Sequence, residues 1–411
     1  MEVFAERIKS AFWLVGGLMF AIGLLGWYDR FAHGHAHAAY GNIVVWGLWV
    51  SVYIFFIGLS AGAFLVSSLV YVFAVKRFEP IGRLALFTAL VTLLLALLSI
   101  IVDLGHMGRA WHVVVYANFN SPMAWMLYLY AFYSIILALE LWFVLRTDFV
   151  RLEPTGGPGA RLYRLLALGS SDASEVRIAA DRRIVKVLAS IGVPTAIMFH
   201  GGVGALFATV ASRPHWHSGL YPILFVLSAL VSGGALLAVV AAVFQDGVRR
   251  HRELILDLGR LVLALTALDV LFQVSEFLIA FRGGIPGHTA GLLLVINGPF
   301  KEVFWIGQVL LGTLVPLALL ALPTRKNPWA VVVACGLIVL GVFAMRLNIV
   351  IPGLAVEEIR GLAATVSTPR ITAHYVPSAA EWLLTIGIGG LGMLLFGLGE
   401  RLLPRTQAEE N

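Results

Sequence analysis

Between two apolar runs, the stretch Ile100 to Trp125 carries Asp103, His106, Arg109, Trp111, His112, Asn118, Asn120 and Pro122. Carboxylate, imidazole and guanidinium groups this close together can shuttle protons, hold a polar ligand, or pair with one another to fix a loop. A carboxylate at the C-terminal end of a helix faces the negative pole of the helix dipole. Asp103 is therefore expected to need a compensating cation, and Arg109 and His106 are the nearest candidates.

A second set lies in the apolar run near 254–280, which contains Asp257, Arg260, Asp269, Gln273 and Glu276. Positions 269, 273 and 276 are spaced four and three, so they share one helical face. Polar groups left alone in hydrocarbon each cost several kcal/mol. The face must line a bundle interior, a wet cavity or a proton path. A proton conduit through Asp257, Asp269, Gln273 and Glu276 is one reading, and an internal hydrogen-bond network the other. Glu302, Gln308, Arg346 and Asn348 fall at comparable depth and can complete either.

His200 lies well inside an apolar run, followed by Gly201 and Gly202, and an intramembrane ionisable group is a functional candidate. No second histidine at similar depth pairs with it, so no b-type haem is expected. Tyr53 and Ser60 share a run with Ala61, Gly62 and Ala63, small residues that let a backbone or a flat ring come close. The Tyr53 phenol can bond a ligand carbonyl or anchor the helix at the interface. The run His33-Gly-His35-Ala-His37 has no second ligand cluster at a fixed spacing, so no metal is expected. The single cysteine, Cys335, excludes a disulfide framework and an iron-sulfur cluster held by this chain alone, which takes about four thiolates. No phosphate-cradling loop, nucleophile elbow or nucleic-acid patch occurs.

The elements that must position these groups are membrane helices. Of 411 residues 60% are hydrophobic and 13% charged, against roughly a quarter charged in soluble domains. Apolar runs able to cross roughly 30 Å of hydrocarbon lie near 11–28, 44–74, 81–102, 123–145, 186–210, 219–244, 254–280, 302–322, 328–347 and 378–399. The fold class is an all-α integral membrane protein of about ten spans. Most Lys and Arg fall in alternate loops, which predicts that both termini are cytoplasmic. Nine of the 11 histidines then sit at the outer face, where the chemistry is expected. The loop 146–187, with PTGGPG and a mixed-charge stretch, reads as a solvated linker plus a surface helix.

Ser60-Ala61-Gly62-Ala63 and Ser232-Gly233-Gly234-Ala235 repeat at an offset of four spans, as do Asn120-Ser121-Pro122 and Asn297-Gly298-Pro299. This suggests two parallel four-helix bundles. The expected divisions are 1–43 (first helix and His-rich loop), 44–210 and 211–347 (the bundles), and 348–411 (outer loop, last helix and tail).

Tyr53 through Ser68, Asp103 through His112 with Ser121-Pro122-Met123, and His200 through Phe207 with Arg213-Pro214 resemble the NrfD/PsrC family of membrane subunits. Gly298-Pro299, Phe304-Trp305, Arg346 through Gly353 and Tyr375 through Trp382 resemble its longer, ten-span branch, which includes HybB, DsrP and QrcD. Where that family carries Arg-Pro after Asp-Leu-Gly, this chain has His106-Met107. The resemblance implies a haem-free anchor in a bacterial or archaeal cytoplasmic membrane that reacts with quinone, menaquinone or ubiquinone. It implies partners on the periplasmic face: a ferredoxin-like iron-sulfur subunit and a catalytic subunit, often a molybdopterin enzyme or hydrogenase. On that basis quinone is expected at Tyr53, Ser60, Asp103, His106, Arg109, His112 and His200, and partners at loops 103–122, 211–219 and 281–302. A secondary transporter and a purely structural anchor are the rival readings.

Overall fold

The computed structural model describes residues 2–402 apart from 153–159, 245–246, 358, 360, 362–364, 366–367 and 369. The PTGGPG segment and the tail after 402 lie outside the described residues. Long apolar sequences become helices because hydrocarbon offers the backbone no hydrogen-bond partner, and a helix satisfies its own. The long helices are α1 (Glu2–His33), α2 (Leu48–Tyr71), α3 (Gly82–Asp103), α4 (Pro122–Leu152), α5 (Glu175–Ala208), α6 (Tyr221–Val243) and α7 (Arg252–Arg282). After the short α8 (Pro286–Ile296) come α9 (Val303–Ala321), α10 (Pro328–Ala355) and α11 (Ala379–Leu402).

Starts are set by local chemistry. Pro122 and Pro328 open α4 and α10 at positions where a missing N–H costs nothing. Asn327 Oδ1 accepts from Trp329 N at 3.0 Å, and Ser174 Oγ from Arg177 N at 3.4 Å. The first two-thirds of α9, Val303–Leu314, is wound as a π-helix.

Among the described residues nine helices are long and apolar enough to cross a membrane. The 31-residue α7 is outside that set, yet it packs against α6, α9 and α10. With it, the described residues contain the ten long helices the sequence predicts. Helices α2 to α5 pack on one another, α6, α7, α9 and α10 do likewise, and α1 pairs with α11 alongside α3.

Small residues set the closest crossings. A Cβ on Gly62 would overlap the Ala229 carbonyl oxygen of α6, and one on Gly233 would overlap the backbone of Gly62 and Ala63 of α2. The two repeated small-residue motifs are thus each other's partners, and the flat-ring alternative for Gly62 is closed because helix backbone fills that space. Gly23 of α1 meets Gly387 of α11 in the same way. Replacing Gly62 with Val is expected to destabilise the protein by about 1–3 kcal/mol or more through overpacking, read as a lower Tm in detergent.

The loop 146–187 carries the expected helix and leaves most of its described residues exposed or half-buried, but it also holds a buried ion pair. Helix α4 runs on to Leu152, a helical turn spans Ala160–Leu166, and α5 begins at Glu175. Arg146 and Asp181 are buried against each other, with Nη2 and Nε of Arg146 each 2.6 Å from Asp181 Oδ2. Two charges leave water here because they leave it together.

Candidate functional site

Most histidines gather at one end of the bundle, where α1, α3, α5, α7 and α10 finish and α2, α4, α6, α9 and α11 begin. At that end Asp103 has a partner other than the expected ones. Its Oδ1 accepts from the Tyr40 hydroxyl at 2.7 Å. The nearby cation is Arg30 of α1, 3% exposed, whose Nε and Nη2 donate to the Val102 and Leu104 carbonyls at 2.6 and 2.5 Å. Arg30 caps the C-terminus of α3, where the dipole and the carboxylate both call for positive charge. Arg109 and His106 instead lie exposed on the turn. His112 packs edge-on against Trp111 and Tyr116.

A second carboxylate, this one fully buried, completes this end. Glu381 is fully buried; its Oε1 accepts from the Tyr375 hydroxyl, and its Oε2 from Ala39 N and Ser378 N, both at 2.9 Å. Burial first, then the Asp103 carboxylate, holds the Tyr40 phenol well above its ordinary range. Burial and then the Arg30 guanidinium hold the His35 imidazole below its own. These contacts tie α1, α3, α11 and the loop before α2 together, which favours the loop-fixing role of Asp103.

The other expected residues occupy different settings. Ser60 Oγ donates to the Ala89 carbonyl at 2.8 Å and lies 3.2 Å from the Tyr133 hydroxyl, inside the α2–α5 group. Tyr53 is half-buried on α2. His200, 1% exposed, sits against Gly58, its Nε2 3.4 Å from Arg346 Nη2. Arg346 is fully buried, donates to Ser228 Oγ at 2.6 Å and lies over the Phe225 ring. None of the seven residues named from the sequence is among the lining of the cleft between α6, α7, α8, α9 and α10.

The acids of α7 divide similarly. Asp257 is neutralised by Arg77 at 2.8 Å and Arg260 at 2.6 Å. Twelve residues, about 18 Å along the helix, separate it from Asp269. Beyond that gap the polar face connects across three helices. Asp269 Oδ2 accepts from Gln273 Nε2 at 2.5 Å, Gln273 Oε1 from Gln308 Nε2 at 2.9 Å, and Gln308 Oε1 from Asn348 Nδ2 at 2.8 Å. Glu276 accepts from Ser218 Oγ at 2.6 Å.

These groups border a cleft of about 70 Å³ between α6, α7, α8, α9 and α10, lined by Gln273, Glu276, Gln308, Arg346, Asn348 and His215 among others. That is room for several waters. Among the described residues Arg346 Nε and Nη1 and Asn348 Oδ1 are buried here with no hydrogen-bond partner, as is Asp269 Oδ1 one turn before Gln273 on α7. An orphaned buried polar group costs about 1–3 kcal/mol, so water or a polar ligand in the cleft would be stabilising.

The sequence placed His215 and His288 at the outer face without assigning them to the ligand site; they enter the cleft from the loop before α6 and from α8, a segment that reads as plain loop. One buried acid had no such signal. Glu140 of α4 is fully buried, and among the described residues neither of its carboxylate oxygens has a hydrogen-bond partner. A single acid in the run Leu137–Trp142 was its only signal.

His215 gives a pH test. Burial, opposed by a backbone bond to Asn348 and aided by His288, pushes it down to about 4. The unfolded imidazole titrates near 6.5, so below that pH the unfolded chain binds the extra proton. Stability is therefore full above about pH 6.5 and falls as pH drops toward 4, by about 1–3 kcal/mol. A His215→Gln variant is expected to show a shallower acid loss in Tm.

A family model described as polysulphide reductase, NrfD, matches residues 37–357. A selenate reductase subunit of Mesobacillus selenatarsenatis is 35% identical over 97% of this chain and 94% of its own length. A putative dimethyl sulfoxide reductase membrane subunit of Halobacterium salinarum is 30% identical over 96% and 92%. The Hdr-like menaquinol oxidoreductase integral membrane subunit of Archaeoglobus fulgidus is 28% identical over 96% and 94%.

Proposed function

The chain belongs to the NrfD family, and from that premise we propose that it is the multi-pass membrane subunit of a reductase complex, exchanging electrons between membrane quinone and an iron-sulfur subunit. The names of its relatives, subunits of selenate, dimethyl sulfoxide and menaquinol oxidoreductases, support the anchor role. The observation that carries the quinone reading is the cleft at Glu276, with its unpartnered Arg346 and Asn348 atoms.

A quinol gives up two electrons and two protons, and a quinone takes them. Arg346 can donate to a quinone oxygen, Asn348 Oδ1 can accept from a quinol hydroxyl, and Glu276 can take or return the two protons one after the other, exchanging each with water at the histidine-rich end. His200 holds the inner side of Arg346. Gln273 and Gln308 orient their neighbours, since an amide does not itself relay a proton; Gln273 in turn donates to Asp269 at 2.5 Å. Proton transfer is thereby confined to the histidine-rich end, with Asp257 serving an ion pair. The electrons leave to, or arrive from, a cluster in the partner.

That partner is proposed to dock at the histidine-rich end, which faces the periplasm when the basic loops face the cytoplasm. Loop 103–122 there presents Trp111, Val115, Tyr116 and Phe119 to solvent. It is stapled by Trp125 Nε1 to the Phe119 carbonyl at 2.8 Å and Tyr128 Oη to the Val114 carbonyl at 3.1 Å. Loops 211–219 and 281–302 flank the cleft. Gentle purification from native membrane, followed by mass spectrometry of subunits and quinone extraction, tests the reading. An iron-sulfur subunit with bound quinone is the expected result, and a partner-free, quinone-free protein overturns it.

A further inference from the structure

Three histidines in the run 33–37 alternate, and the fold sends them to opposite sides. His35 turns inward, its ring 5.4 Å from Tyr40 and 5.7 Å from Trp49 between centroids. His33 and His37 turn outward and meet Asp29, one helical turn before His33. His33 Nδ1 lies 3.0 Å and His37 Nδ1 2.6 Å from Asp29 Oδ1. The convergence has a backbone cause. Gly34 takes a φ of +64°, and its N–H returns to the Arg30 carbonyl at 3.2 Å. This left-handed residue ends α1 and folds the chain back, so that His37 rejoins the face of Asp29 and His33. The sequence shows no second ligand cluster beside the run; α1 supplies the missing carboxylate.

We infer that Asp29, His33 and His37 form a binding site for one borderline divalent transition metal, with zinc as the fitting ion. Two imidazole nitrogens and one carboxylate oxygen are a common zinc donor set, and three protein ligands leave a position for water. All three donor atoms lie within 4.8 Å of one another. Bonds of about 2.0–2.2 Å need only that the three donors spread slightly around an ion between them. The side chains of His33 and His37 are 46% and 58% exposed and that of Asp29 is 22%, so a hydrated ion can enter. Neither calcium nor magnesium suits the site, since both prefer oxygen ligands.

The site brackets Arg30 and His35, which face the Asp103 end of α3 from the same chain segment. A bound ion would clamp the last turn of α1 to the loop that carries Tyr40 to Asp103. This inference is independent of where quinone binds.

Calorimetric titration of zinc chloride into untagged, chelator-treated protein in detergent tests it. The expected result is one zinc per chain, with at least about a tenfold loss of affinity in His33→Gln, His37→Gln and Asp29→Asn and no change in the control His106→Gln. Cobalt(II) should give visible ligand-field bands that the same three variants lose, and zinc should raise the Tm of the parent only. The histidines are exposed, so their variants should fold with the parent's zinc-free Tm. No stoichiometric zinc in the parent, or affinity unchanged in the three variants, overturns the site.

Discussion

Replacing Glu276 with Gln is expected to lower quinol-dependent turnover of the assembled complex about a hundredfold. Glutamine has nearly the same shape, and its amide oxygen can still accept from Ser218, now 2.6 Å from the carboxylate. The loop before α6 and the cleft wall therefore keep their geometry. What disappears is a group that can take up and release a proton, a contribution worth about 10²–10⁴ in rate. Turnover between artificial dyes and the partner's terminal acceptor should be unchanged, because that route bypasses the cleft. Wild-type quinol turnover, to within about twofold, would remove Glu276 from the mechanism and move attention to Asp269, or to Glu140 in the other helix group.

The largest stability effect should come from the opposite end. Arg146→Ala strips Asp181 of its main partner and leaves the Asp172 carbonyl and Ser170 hydroxyl without their guanidinium donor. Breaking a buried pair from one side costs about 3–5 kcal/mol because the remaining charge stays buried. Arg177, 3.3 Å from Asp181, should hold the loss near the lower figure. Denaturation in detergent would measure it, and membranes should contain less of the protein. The paired change Arg146→Met with Asp181→Leu should recover much of the loss, since the orphaned charge is then gone. An unaltered unfolding transition in Arg146→Ala would show that the pair is not coupled to folding.

Helix identity was legible because length and apolar composition decide it. The predicted runs 219–244, 254–280, 302–322 and 328–347 begin within about two residues of α6, α7, α9 and α10. Ends in polar sequence were less legible. Helix α5 starts at Glu175 inside a charged stretch, because helix propensity and a serine cap need no apolar residue. The face of α7 was readable too, since 269, 273 and 276 obey helical spacing. Partners were not. Arg30 reaches the end of α3 from 72 residues upstream, and Arg346 reaches His200 across 146. Such pairings depend on how each helix is rotated about its axis, which spacing alone leaves open. Proximity in sequence pointed to Arg109 for Asp103, and the fold chose a residue on another helix. Glu140 was illegible for a related reason: one acid in a leucine-rich run has no periodicity to reveal.

The composition of α7 also bears on how the chain enters the membrane. A carboxylate at a helix centre costs roughly 2.5–3.5 kcal/mol on insertion scales, and α7 carries both Asp269 and Glu276 while standing outside the nine apolar helices. A nascent chain stopped just after α7 should leave that segment in the translocon or at the bilayer surface. Extending it through α10 supplies Gln308, Asn348 and Arg346, and only then does α7 have a reason to stay. The expected order of biogenesis therefore has α7 committed to the membrane by helices synthesised after it.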